Sequence, residues 1–272
     1  MGDVSTIRHV NMTSADLAVL RIAVQALEHQ NLASRLSGMI GTQVSFAARV
    51  IPAPVQAVVA SAATAAMKFA LRAVLASVGK KQQVASNFLH KAMAAASGAA
   101  GGLFGAASLP VELPVSTSIM LRSIADIARS EGEDLSKAEG ALACIEVFAL
   151  GGHSDEALEG GYFAMRAFLA KSVTDAAKFM VQRGVADQSA PVVVKFIAQV
   201  AARFGVVVSE KVAAQAVPVI GALGGAVVNY AFIDHFQSLA RGHFIVRRLE
   251  REYGQALVKG EYERARREMF PA

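Results

Sequence analysis

The chain has no tryptophan, one cysteine and a charged fraction of only 18%. Each scarcity excludes something. A lone thiol, Cys144, makes no internal disulfide, so no oxidising compartment is implied. Aromatic residues are 7% of the chain and no basic run is interleaved with them, which argues against a nucleic-acid surface. Met1 to Met12 lack the basic and apolar regions of a signal peptide, so a cytoplasmic address is the expectation. Strand signals are nearly absent: no sustained apolar/polar alternation, and no Asn-Gly or Asp-Gly hairpin between apolar runs.

What is present is alanine, glycine and aliphatic side chains. The apolar fraction is 54% and the charged share falls below the ordinary value of about 25%. Mean hydropathy is +0.40, high for a soluble globular protein and low for one built of membrane spans. The net charge of +5 suits an anionic lipid surface. Alanine is the best helix former, so the composition predicts an all-α multi-helix bundle, with central Gly/Ala-rich apolar helices. No internal repeat or linker divides the 272 residues, and one domain is expected.

The helices can be placed by apolar spacing and by their stops. A first helix runs from Ser14 to about 36, with Leu17, Leu20, Val24 and Leu27 on one side and Arg21, Gln25 and Glu28 on the other. Pro52 and Pro54 open a second, about 55–78. A third runs from about 80 to 96. A fourth, about 112–130, has an apolar stripe of Leu113, Thr117, Met120, Ile124 and Ile127, with Asp126 able to pair with Arg122 or Arg129. A short helix at about 136–150 follows. Ser154 caps the next, about 156–183, whose Tyr162, Met165, Leu169, Val173, Ala176 and Met180 share a face. Pro191 opens a helix with Lys195, Gln199 and Arg203 at four-residue spacing, and a charged C-terminal helix is expected at about 234–268.

Two stretches carry no formal charge, 92–111 and 212–233. Each is long enough to cross a bilayer, which needs about 20 apolar residues. The first is poor in leucine-class side chains, and Gln215, Pro218 and Asn229 interrupt the second. Amphipathic helices elsewhere need water on one face, so a soluble bundle with tightly packed small-residue helices is the better reading. Space lined by such residues admits acyl chains.

No catalytic constellation stands out, and no cofactor or metal is expected. Cys144 sits in an apolar run that raises a thiol pKa, and reads as a small buried hydrophobe. His235 and His243 lie eight apart and would need a third metal ligand from elsewhere. Glu131, Glu133 and Asp134 read as a solvated turn.

Three separated blocks are distinctive. They are Leu109-Pro-Val-Glu-Leu-Pro-Val-Ser-Thr-Ser-Ile-Met-Leu-Arg, then Ala149-Leu-Gly-Gly, then Val217-Pro-Val-Ile-Gly-Ala-Leu-Gly-Gly. In order and spacing they resemble the EcsC family over about 60–250. A more distant similarity is to the senescence domain of spartin-like lipid-transfer proteins. The EcsC family is named for a gene neighbour of a bacterial ABC transporter and brings no agreed catalytic residues. The resemblance implies a bacterial protein, cytoplasmic or peripheral to the inner membrane.

The expected function is binding or transfer of a phospholipid or another acyl-chain ligand at the cytoplasmic membrane surface. Leu103, Phe104, Leu113, Thr117, Met120, Ile220, Gly221, Gly224 and Tyr230 are the candidate lipid-binding residues. Arg241, Arg247, Arg248 and Arg251 are the candidate cations for an anionic membrane surface, with Glu250 and Glu252 as solvated partners. The alternative is a non-enzymatic accessory protein of a membrane complex such as an ABC transporter, packing on a transporter subunit through its Gly-x-x-x-Gly faces.

Overall fold

The computed structural model describes residues 11–28, 32, 35–36, 51–76, 109–151, 161–183, 190–215 and 221–271, with the backbone alone at 183 and 221–227. These residues form eight α-helices and no strand. In chain order they are α1 (Ser14–Glu28), α2 (Ala53–Leu75), α3 (Leu109–Ser130), α4 (Ala138–Leu150), α5 (Gly161–Arg183), α6 (Pro191–Gln215), α7 (Gly221–Tyr253) and α8 (Gln255–Met269). The expected all-α bundle is the observed architecture. The expected helix at 80–96, the glycine-rich run 97–105 and the cap at Ser154 lie outside the described residues.

Local chemistry sets the helix starts. The Thr13 hydroxyl accepts the Asp16 backbone N–H at 3.1 Å and donates to the Asp16 carboxylate at 2.6 Å, capping α1 one residue before Ser14. Pro52 and Pro54 occupy the opening of α2, where missing N–H groups cost nothing. In α3 Leu113, Thr117, Met120 and Ile124 are all buried, so the four-residue stripe is the core face. Asp126 pairs with Arg129 at 2.8 Å and with Arg122 at 3.9 Å on the outer side.

The central helix is α4, which is short. Every residue of α4 except Glu139 is buried, including Glu146. Around it the Phe148, Phe204, Phe232 and Phe236 rings interlock α4, α6 and α7, with centroids 5.2–6.1 Å apart in edge or tilted contacts. The uncharged stretch 212–233 is shared between two helices. Its first residues finish α6, and Gly221 onward begin α7.

The C-terminal region differs from the single helix expected at 234–268. Helix α7 continues upstream to Gly221, and Gly254 separates it from α8 with φ +85°, a left-handed backbone that favours glycine. Helix α8 then packs on α1 and α7. Helices α1 and α7 approach closely at Gly242, where an added Cβ would sit 2.7 Å from Leu27 Cγ and 3.1 Å from the Ala23 carbonyl oxygen. A glycine at 242 lets these two helices touch.

Candidate functional site

A groove of about 840 Å³ runs between α2 and α6. From α2 and the residue run before it come Ile51, Gln56, Val59, Ala60, Thr64, Lys68, Leu71 and Arg72. From α6 come Val194, Ile197, Ala198, Ala201, Ala202, Gly205, Val206 and Ser209. These positions recur at three- and four-residue steps, so each helix gives the groove one stripe. Small side chains at Ala60, Ala198, Ala202 and Gly205 leave the space that larger ones would fill.

The groove is more apolar than its residue names suggest. Gln56 Nε2 donates to the Ile51 carbonyl at 2.8 Å. The Thr64 hydroxyl donates to the Ala60 carbonyl at 2.9 Å, and the Ser209 hydroxyl to the Gly205 carbonyl at 3.0 Å. These polar atoms are engaged by their own chain segment, and what faces the groove is mostly hydrocarbon. The charged lining residues are Lys68 and Arg72, and no carboxylate is among them. The two walls are also the described helices long and apolar enough, by length and composition, to cross a membrane. About half of each apolar window is buried inside the protein, 50% for α2 and 44% for α6.

None of the sequence-nominated lipid-binding residues lines this groove. Leu113, Thr117 and Met120 are buried on the core side of α3, and Tyr230 is 66% exposed on α7. Gly221 and Gly224 lie in the first turn of α7. Leu103, Phe104 and Ile220 lie outside the described residues. The overlooked signal was charge. Helix α2 contains two cations and no acid over its whole length.

Three of the four nominated membrane-surface arginines have partners distant in sequence. Arg247 grips Glu133 with two hydrogen bonds, Nε to Oε2 at 3.0 Å and Nη2 to Oε1 at 2.6 Å, and Arg251 Nη1 adds a third at 2.7 Å. Arg248 donates to Glu131 at 2.8 Å. Arg241 is exposed. Within the turn expected to be solvated, Asp134 is exposed, but the Glu133 side chain is only 8% exposed. Burial alone would raise its carboxyl, but the hydrogen bonds and charges of Arg247 and Arg251 prevail and hold it below the usual range. Glu250 is likewise no solvated partner, because it takes a two-pronged contact from Arg166 at 2.8 and 3.0 Å.

A second polar region is buried where α1, α4, α5, α7 and α8 meet. Tyr262 donates to Glu28 at 2.8 Å, and the same carboxylate accepts the Tyr162 backbone N–H at 3.0 Å. Glu28 thus faces inward, although helical spacing put it with Arg21 and Gln25. The Tyr162 hydroxyl meets His243 Nδ1 at 2.9 Å. Burial, with help from the Arg166 and Arg247 charges, pushes the His243 imidazole well below its ordinary pKa. Glu146 nearby is raised by burial against the opposing pull of the same two arginines.

Cys144 is buried, its thiol donates to the Gly140 carbonyl at 3.6 Å, and burial pushes its pKa up to about 12. Among the described residues no group of three His, Cys, Asp or Glu side chains could hold a metal ion.

No curated protein and no solved structure matches this chain. The EcsC family model matches residues 18–249, from the first turns of α1 to near the end of α7, leaving α8 beyond the match. Most of the chain is covered, starting well before the blocks that first suggested the resemblance, and the chain belongs to the EcsC protein family.

Proposed function

We propose that the protein binds a lipid, or another acyl-chain ligand, in the α2–α6 groove and acts at the cytoplasmic membrane surface as a carrier. The observation that carries this reading is the groove's described lining: small and aliphatic side chains, with Lys68 and Arg72 as the charges among the described residues. About 840 Å³ is within the range of small-molecule sites, about 300–1,000 Å³. An acyl chain would lie along the alanines, and an acidic headgroup would meet the two cations. The Gln56, Thr64 and Ser209 side chains are already engaged within their own chain segment, so they offer water little.

The small residues at Ala60, Ala198, Ala202 and Gly205 also favour a second reading. A helix of a membrane-complex subunit could lie against them, which is the accessory role.

The test is purification without detergent, solvent extraction and mass spectrometry of what is released. Lipid is expected in the wild-type extract and largely absent from Ala202→Trp, which fills the groove from an exposed position. A wild-type protein that releases no lipid and binds no fluorescent fatty acid would sink the carrier reading. Capture of a transporter subunit, lost in Ala202→Trp, would favour the accessory.

A further inference from the structure

The cations of this protein fall into two populations. Those near the end of α7 and on α8 are mostly held by carboxylates: Arg247 and Arg251 by Glu133, Arg248 by Glu131 and Arg264 by Glu261. The outer sides of α2, α5 and α6 differ. Lys68, Lys171, Lys178 and Lys195 are all exposed there, and one of the two acids of these helices is half-buried Asp175. The remaining acid of these three helices, Glu210, is buried.

The three helices form one continuous surface. Helix α6 packs against both α2 and α5. Lys195 is the chain neighbour of Val194, which lines the groove and is 47% exposed. The Arg203 guanidinium, next to groove residue Ala202, lies over the Phe168 ring of α5 at 5.9 Å. Phe168 is itself 49% exposed, and Lys171 and Lys178 follow it on the same side of α5 at helical spacing. Exposed lysines therefore stand near exposed apolar side chains on the two helices that wall the groove and on α5, which packs against one of them. A surface of this kind has hydrocarbon to insert and positive charge to hold it down.

We propose that the outer face of α2, α5 and α6 is the surface by which the protein settles on a bilayer rich in anionic phospholipid. Lys68, Lys171, Lys178 and Lys195 meet the headgroups, Val194 and Phe168 enter the interface, and the groove opens towards the lipid it takes up. This deepens the groove reading and rests on it for the direction of lipid entry. The docking charge does not come from Arg247, Arg248 or Arg251, whose guanidinium groups are held by their own carboxylates.

The test uses the full chain and sedimentation with vesicles of phosphatidylcholine alone or mixed with phosphatidylglycerol. Wild type is expected to prefer the mixed vesicles and to be released as added salt shortens the screening length. Each lysine near the surface contributes about fivefold to partitioning, so Lys171→Glu/Lys195→Glu is expected to bind more than about tenfold worse. Arg241→Glu is expected to bind as wild type. Equal binding to both vesicle types, an unaffected double variant, or an equal loss in Arg241→Glu would each overturn the docking face. Neither Lys171 nor Lys195 lines the groove, so binding of a fluorescent fatty acid in solution is unchanged in the double variant. That second readout separates a failed docking face from a failed groove.

Discussion

Lys211 of α6 is completely buried, and its ammonium donates to Glu112 of α3 at 2.5 Å. It also donates to Asn229 of α7 at 3.2 Å and lies 4.7 Å from the Phe232 ring centre. One side chain thus ties three helices together. A buried charge that loses its partner is costly, by about 3 kcal/mol or more, whereas removing both charges is often nearly neutral. Glu112→Gln should therefore lower stability by roughly 2–3 kcal/mol, because the carboxylate keeps some solvent. Lys211→Met combined with Glu112→Gln should cost less than the sum of the two single changes. Urea midpoints of the four proteins check this. Additive losses would mean that the pair is not coupled.

Glu133 and Glu146 should give opposite pH dependences. The folded-state pKa of Glu133 lies below its ordinary 4.5, so its contribution is complete above about 4.5 and is lost as pH falls through the lower folded value. The folded-state pKa of Glu146 is raised, so it costs nothing below 4.5 and destabilises progressively as pH rises through the raised value. Glu133→Gln should lose stability at neutral pH and flatten the acid limb. Glu146→Gln should be more stable than wild type at neutral pH and lose that advantage in acid. Thermal melts across the acid range decide, and the same sign for both variants would refute the assignment.

His243 titrates in a third window. Its folded-state pKa is well below the ordinary 6.5, so the fold holds it neutral while the unfolded chain takes up a proton. Stability from this group is present above 6.5 and is lost as pH falls from there towards the folded value. Wild type should soften between about pH 7 and pH 5.5, and His243→Phe should soften less over the same interval. The variant also orphans the Tyr162 hydroxyl, so its stability at pH 7 should be lower by roughly 1–2 kcal/mol.

Three glycines predict three different results from the same alanine substitution. Gly242→Ala forces a Cβ to within 2.7 Å of Leu27 and 3.1 Å of the Ala23 carbonyl, so α1 and α7 must part, at about 1–3 kcal/mol. Gly254→Ala meets nothing within 4 Å, but φ +85° is strained for any L side chain, at about 1–2 kcal/mol. Gly260→Ala also meets nothing within 4 Å, lies inside α8, and should stabilise by about 0.5–1 kcal/mol. Denaturant midpoints rank all three.

The core stripes of α3 and α5 were legible because burial repeats with the helical period, and period is written in one segment at a time. Leu113, Met120 and Ile124 are found where their spacing put them. Glu133 and Arg247 were not legible as partners, because 114 positions separate them and neither neighbourhood names the other. The same blindness applies to Glu28, whose helical position looks solvated until Tyr262 arrives from α8. The groove was missed for a related reason. Attention fell on charge-free runs, whereas the groove belongs to two helices that each keep a few cations and little else that is charged. The division between α7 and α8 did have a local sign, a glycine inside a charged helical pattern, which reads as a helix end when it is given its usual weight.

The packing of α1 sets the order of assembly. Its main described neighbours are α7 and α8, with a smaller contact to α5, and Arg21 reaches Glu268 of α8 at 2.6 Å. During synthesis α1 therefore emerges well before the two helices that form most of its described contacts. The apolar stripe of Leu20, Ala23, Val24 and Leu27 is fully covered only when α7 and α8 have been made. A chain truncated before α7 should consequently hold a chaperone through α1, and the arrival of α7 and α8 releases it.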